Sequence, residues 1–226
     1  LYFVHVSSRL GLGAVRELRG EGLRVAAETA PHYLLLTEDR LSGLEGALAL
    51  MTPPLRRDQD RKALWEGFAL GDIHVLATDH CSYTPAQKMA HPDCRLTPAG
   101  VPGVGEAASL FFTNFPGSPS EKAQALRSVY SENPARLFGL WPWKGSLAAG
   151  NSADLVLFDP LASGRIDGSR IRSAAGYSPF LGLPYLGAAA ATVSRGMVVA
   201  RDGVFTGEKG RGKFVPCGIS SVFEKS

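Results

Sequence analysis

The sequence predicts an α/β protein, with a parallel sheet and its helices in the first part and a small β unit in the last. Three observations carry this expectation. Strand-like apolar runs alternate with helical periodicity over the first ~80 residues, the order of a β-α-β-α-β unit. The runs Leu1–Val6, Leu23–Glu28 and Ile73–Thr78 are rich in apolar residues instead of strictly alternating, as strands covered on both faces are. From Lys144 onward the period shifts towards two and turn dipeptides appear.

The elements follow in order. Leu1-Tyr2-Phe3-Val4-His5-Val6 reads as a buried strand. Such a strand needs neighbours on both sides for its backbone groups, so the chain is expected to be the back part of something longer. Ser7-Ser8 caps a helix over Arg9–Arg19, with Leu10, Val15 and Leu18 on one face, and Gly20 and Gly22 stop it. Leu23–Glu28 is the second strand. Thr29–Arg57 is irregular, with Pro31 and the pair Pro53-Pro54. Asp58 caps a helix through Leu70, closed by Gly71, and Ile73–Thr78 is the third strand, ending in Asp79-His80.

Cys81–Val104 is polar and rich in Pro and Gly, too long for a mere connector, and loops of that length are usually functional or disordered. Helices are expected at Glu106–Phe115, Ser120–Tyr130 and Pro134–Phe138. Beyond them, Gly145–Leu147, Ala153–Phe158, Ala190–Val193, Met197–Arg201 and Val204–Thr206 read as strands, with Asp202-Gly203 as a hairpin turn. Leu155, Leu157, Val193 and Val198 should point inward, and Gly176–Phe180 should be an extended arm. The domain expectation is 1–143 for the α/β part and 144–226 for the β unit with a C-terminal arm.

Composition excludes several classes. The hydrophobic and charged fractions, 45% and 20%, are those of a soluble globular chain, not a disordered or fibrous one. No apolar run approaches the ~20 residues of a membrane span. The longest, Leu183–Val193, is broken by Pro184, Gly187 and Thr192. A net charge of +3 with scattered basic residues gives no basis for a nucleic-acid partner. Cys81, Cys94 and Cys217 form neither a disulfide framework nor a Cys-x-x-Cys zinc pair. With no signal peptide in view, the expected compartment is the cytoplasm.

In a parallel α/β array, ligands gather at the carboxyl ends of the strands. His5 and Asp79 sit at two such ends, and both residue types ligate zinc-like divalent ions. A lone histidine there is more often a hydrogen-bonded structural group, but two such residues on parallel strands strengthen the metal reading. His32 and His80 lie near strand ends as well, where either could orient a neighbouring ligand. His74 and His91 are expected to face solvent. Cys81 reads as a small buried residue, and Gly100–Gly105 follows a loop, which argues against a phosphate cradle.

The motifs His5-Val6-Ser7-Ser8, Ala27-Glu28-Thr29-Ala30-Pro31-His32-Tyr33-Leu34, Pro53-Pro54-Leu55-Arg56, Ala77-Thr78-Asp79-His80-Cys81, Gly100-Val101-Pro102-Gly103-Val104, Asn133–Leu140 and Gly150–Val156 occur in one order. Together they resemble the hydantoinase/dihydropyrimidinase branch of the amidohydrolase superfamily, from its sixth barrel strand onward. The resemblance implies the C-terminal part of a (β/α)8 TIM barrel plus a small β-sandwich. It also implies hydrolysis of cyclic amides with two divalent metals, commonly zinc. By motif, His5 matches the sixth-strand histidine ligand. Asp79 matches the eighth-strand aspartate, which binds metal and acts as general base, passing a proton from the attacking hydroxide to the leaving nitrogen. The family's other ligands have no counterpart here. The resemblance therefore implies a missing N-terminal half as partner, in a homo-oligomer that is typically a tetramer, and a chain that is inactive alone.

Substrate contacts by resemblance are Thr52, Ala99 and Gly100, largely through main-chain atoms. Thr52 replaces the usual Ser before Pro-Pro and Ala99 the usual Asn before the glycine. Two alternatives stay open. A dihydroorotase-type enzyme is disfavoured by Thr52 and Ser82, where a carboxylate grip would be expected. A non-catalytic scaffold relative is disfavoured by the retained His5 and Asp79.

Overall fold

In a computed structural model of the protein, residues 1–43, 45–171 and 173–223 are described. They divide into two compact units, Leu1–Phe111 with Arg165–Pro184, and Phe112–Gly164 with Tyr185–Ser226.

The first unit is built on three parallel strands, β1 (Tyr2–Phe3), β2 (Ala26–Thr29) and β3 (Val75–Leu76), in the order β1-β2-β3. Tyr2 lies opposite Ala26 in the first pair, and Glu28 opposite Val75 in the second. Helix α1 (Arg9–Gly20) joins β1 to β2. It starts where the Ser8 hydroxyl accepts the Gly11 N–H at 3.1 Å, the cap expected from Ser7-Ser8. Its buried face is Leu12 and Val15; Leu10 is 85% exposed, contrary to expectation. The short helix α2 (Pro31–Leu35) follows β2 directly, opened by Pro31, and α3 (Asp58–Ala69) leads into β3. Leu64 and Phe68 of α3 are buried, and the Phe68 and Trp65 rings pack on Phe111 at 5.2 and 5.6 Å.

The first strand is shorter and more open than its composition predicts. Phe3 and Val4 are exposed, and β1 stands at the end of the strand order, paired with β2 alone. The long loop after β3 carries its own structure: helix α4 (Pro85–Lys88), closed at its start by a reciprocal capping box between Thr84 and Gln87, and a 3-10 turn at Cys94–Leu96. Residues 176–178 are irregular, as expected, but they are not an arm. Ser178 and Phe180 are buried, and the Tyr177 hydroxyl donates to the Leu48 carbonyl at 3.0 Å.

The second unit holds α6 (Pro119–Arg127), α7 (Asn133–Leu137) and a sheet of β4 (Leu155–Arg165), β5 (Pro184–Ser194), β6 (Met197–Arg201) and β7 (Val204–Phe205), in the order β4-β5-β6-β7, with β5–β6 and β6–β7 antiparallel. Helix α5 (Ala107–Asn114) spans the point of division. The Asp202-Gly203 turn forms as read, with φ +49° and +74°, the left-handed pair a tight hairpin needs. Two expectations fail. Gly145–Leu147 is not a strand, and Leu157 and Val198 are exposed. In β4 the inward phase slips between Leu155 and Phe158, and Phe158 packs on Phe112 at 5.0 Å. A register shift at Thr192/Val193 disturbs β5 and β6 in the same way. Strict alternation cannot anticipate either slip.

Candidate functional site

Three parallel strands put their carboxyl ends on one edge, and the residues just past them converge. His5 follows β1 and Asp79 follows β3, and both have left-handed backbones, at φ +40° and +46°. That region is uncommon for residues with a side chain and carries strain. The turn at His5 is fixed from the next strand: the Thr29 hydroxyl donates to the Val6 carbonyl at 2.6 Å, and the Val6 N–H donates to the Glu28 carbonyl at 2.8 Å.

Past β2, on helix α2, stands His32. It is buried, and its Nε2 has no hydrogen-bond partner among the described residues. That atom lies 4.0 Å from Asp79 Oδ2, too far for a hydrogen bond and close enough to share a small ligand. Burial, reinforced by the neighbouring His5, pulls the His32 imidazole down to about 3, so it stays neutral and offers a lone pair. Burial pushes the Asp79 carboxyl up, and His5 opposes that push. The Asp79 side chain is 36% exposed, open enough for a ligand to reach. Tyr33 closes the floor: its ring meets His32 edge-on at 4.2 Å and its hydroxyl donates to the Pro53 carbonyl at 2.7 Å.

An unpartnered buried nitrogen, a second imidazole and a carboxylate are donors of the right chemistry for a zinc-like divalent ion. They are a partial set. Among the described residues there is no group of three or more His, Cys, Asp or Glu that could hold a metal ion.

The other predicted residues surround this point. His80 is tied to the glycine-rich stretch: its Nδ1 accepts the N–H groups of Gly103 and Val104 at 3.1 and 3.3 Å. Those two amides are thereby occupied. The stretch runs beside the end of β3, with a parallel bridge between His80 and Val101 and a Cys81 N–H donating to the Val101 carbonyl at 3.1 Å. Thr52 and Ala99 are exposed and Gly100 is buried; the Gly100 N–H donates to the Leu50 carbonyl at 3.0 Å, joining the two loops that carry them. Cys81 is exposed, not buried, and His74 is half-buried against Arg19 instead of facing solvent.

A match to the amidohydrolase family covers residues 19–200, most of the chain. The chain belongs to the amidohydrolase family. Within that family it is 40% identical, over 217 residues, to a D-phenylhydantoinase of Escherichia coli O127:H6, with 95% of this chain and 47% of the relative aligned. Among solved structures it is similar to a D-hydantoinase (dihydropyrimidinase) from Thermus sp., with a TM-score of 0.87, 31% identity, and coverage of 94% of this chain and 47% of that one. An L-hydantoinase (dihydropyrimidinase) from Arthrobacter aurescens gives a TM-score of 0.85 at 34% identity, with coverage of 95% and 48%. The amidohydrolase chain thus spans about half the length of the curated relatives it matches. A C-terminal half fits that coverage, and the fold is that of part of a hydantoinase, the (β/α)8-barrel class its motifs imply. Among the described residues, no helix is long and apolar enough to cross a membrane.

His32 is the residue that sequence reasoning undervalued. Its position after β2 was visible, but its lack of a partner exists only in three dimensions.

Proposed function

We propose that this amidohydrolase chain is the part of a metal-dependent cyclic amide hydrolase that carries its general base, and that the ring opened is a hydantoin or dihydropyrimidine. The observation that carries this reading is the 4.0 Å approach of the unpartnered His32 Nε2 to Asp79 Oδ2 past the ends of parallel strands, with His5 past the end of β1 in the same sheet.

His5 and Asp79 would hold a divalent ion, commonly zinc in such sites. When bound, the ion polarises the amide carbonyl and acidifies a water to serve as nucleophile. On a carboxylate oxygen, Asp79 would take the proton of the water that adds to the ring carbonyl carbon and return it to the ring nitrogen as the C–N bond breaks. Partial burial raises its basicity for that task, and the nearby His5 favours its ionised form. The neutral His32 sits beside the carboxylate without adding a competing charge. Thr52, Ala99 and Gly100 hold the ring from the flanking loops. Two or three donors bind an ion weakly, and among the described residues no group of three or more His, Cys, Asp or Glu completes a centre, so supplying a half-barrel segment should strengthen binding.

The test is hydrolysis of hydantoin and dihydrouracil, followed with metal content, for the chain alone and with an N-terminal half-barrel segment supplied in trans. Turnover is expected only in the second case, and Asp79→Ala should abolish it while the metal-free fold persists. Chelator-sensitive turnover by the chain alone would overturn the incomplete-centre reading. No turnover in either case would overturn the assignment to cyclic amides.

A further inference from the structure

Lys88, the last residue of α4, is fully buried, although a lysine in a polar loop ordinarily keeps its ammonium in water. Its Nζ donates to three main-chain carbonyls: Leu50 at 2.6 Å, Gly100 at 2.8 Å and Pro98 at 3.0 Å. An ammonium has three hydrogens, so its donor capacity is spent on these acceptors. Burying a charge this way is stable only when it is fully hydrogen-bonded.

The three carbonyls come from two loops, and both loops lead to the candidate site. Leu50 stands two residues before Thr52, and Pro53 of the same loop accepts the Tyr33 hydroxyl, next to His32. Pro98 and Gly100 flank Ala99. Gly100 has φ +149°, and a Cβ there would lie 2.8 Å from the Cys81 carbonyl and side chain, two residues past Asp79. The loops are also joined directly, through the Gly100 N–H and the Leu50 carbonyl at 3.0 Å. One ammonium therefore sets the spacing between two loops whose other ends are anchored beside His32 and Asp79.

We propose that Lys88 is a positioning residue for the ring amide, its ammonium holding the Leu50–Thr52 and Pro98–Gly100 segments at the separation that grips the substrate. This rests on the cyclic-amide reading above. All three Nζ hydrogens of Lys88 are committed to main-chain carbonyls, so its loss should weaken binding of the ring without removing the ion.

The test is made in the metal-loaded holoenzyme that contains the chain, with Lys88→Met, which keeps length and removes the donors. For dihydrouracil and hydantoin, KM should rise about tenfold while kcat changes by less than about threefold, the pattern of lost ground-state binding. Bound metal per chain should be unchanged. Hydrogen exchange of the Gly100 amide should accelerate in the variant, reporting the clamp independently of activity. Should Lys88→Met fail to fold, Lys88→Arg decides: it keeps the charge but cannot seat three carbonyls on one nitrogen, and it should also raise KM. Unchanged KM in a folded variant overturns the proposal, as does a fall in kcat accompanied by loss of metal. If the unsubstituted holoenzyme opens neither ring, the functional reading falls and takes the substrate role of Lys88 with it. Faster Gly100 exchange would then mark the clamp as purely architectural.

Discussion

Asp79 stands at φ +46°, a conformation that costs a residue with a side chain about 1–3 kcal/mol unless its surroundings impose it. The imposition comes from both sides: β3 holds the residues before it, and the His80–Val101 bridge holds those after it. The carboxylate is thus delivered towards His32 by backbone geometry before any ligand arrives. Replacing it by Asn keeps size and tolerates the left-handed backbone but removes the carboxylate proposed as the base. Asp79→Asn should lower kcat in the holoenzyme by about 10²–10⁴-fold, the range of general-base contributions, with little change in melting temperature. At this scale the sequence was informative where chemistry and position coincide, as at His5 and Asp79. It was silent on Lys88, because three carbonyls from loops distant in sequence decide whether that lysine is dry. The Thr84–Gln87 capping box places the helix but does not say where the ammonium goes.

Helices α1 and α3 pack closely beside β3, and the closest approach is made by a residue without a side chain. A Cβ at Gly67 would lie 2.9 Å from the Leu12 methyl and 3.1 Å from Ile73. Gly67→Ala should therefore destabilise by about 1–3 kcal/mol through overpacking, measured as a lower denaturant midpoint with unchanged slope. The same helix pair is joined at its rim by Asp72, which receives Arg16 at 2.7 Å and Arg19 at 3.4 Å. Arg19 also donates to His74 Nδ1 at 3.0 Å, and since a guanidinium cannot accept, that nitrogen must be unprotonated. Burial, then Arg19, depress His74 to about 4, with Asp72 opposing. Because the folded value lies below the ordinary 6.5, the unfolded chain takes up the proton first. Stability should be full above pH ~6.5 and fall as pH drops towards 4, and His74→Asn should flatten that part of the melting-temperature profile. Element types were legible because periodicity survives without partners: α1, α3 and the Asp202-Gly203 hairpin form close to where they were expected. Facing was less legible, as at Leu10, Leu157 and Val198, because the inward side depends on what covers it and on register slips.

For the whole molecule, the open question in the sequence was how much of a catalytic centre one chain carries. The described residues place His5 and Asp79 past two strand ends, with the unpartnered His32 Nε2 4.0 Å from the Asp79 carboxylate. Equilibrium dialysis of the chain alone should accordingly show weak divalent-ion binding that Asp79→Ala and His5→Ala each reduce, and co-addition of a half-barrel segment should tighten it. Identical affinity with and without that segment would mean that the ligands are already complete. The dry ammonium of Lys88 has a use beyond binding. An acylating reagent reacts with amines that water can reach, so Lys88 is labelled only in molecules whose loops have momentarily come apart, whereas Lys62, with 69% of its side chain exposed, is labelled at all times. The ratio of the two labelling rates is a clock for local opening, readable by mass spectrometry in a crude extract, with no probe attached and no substrate known.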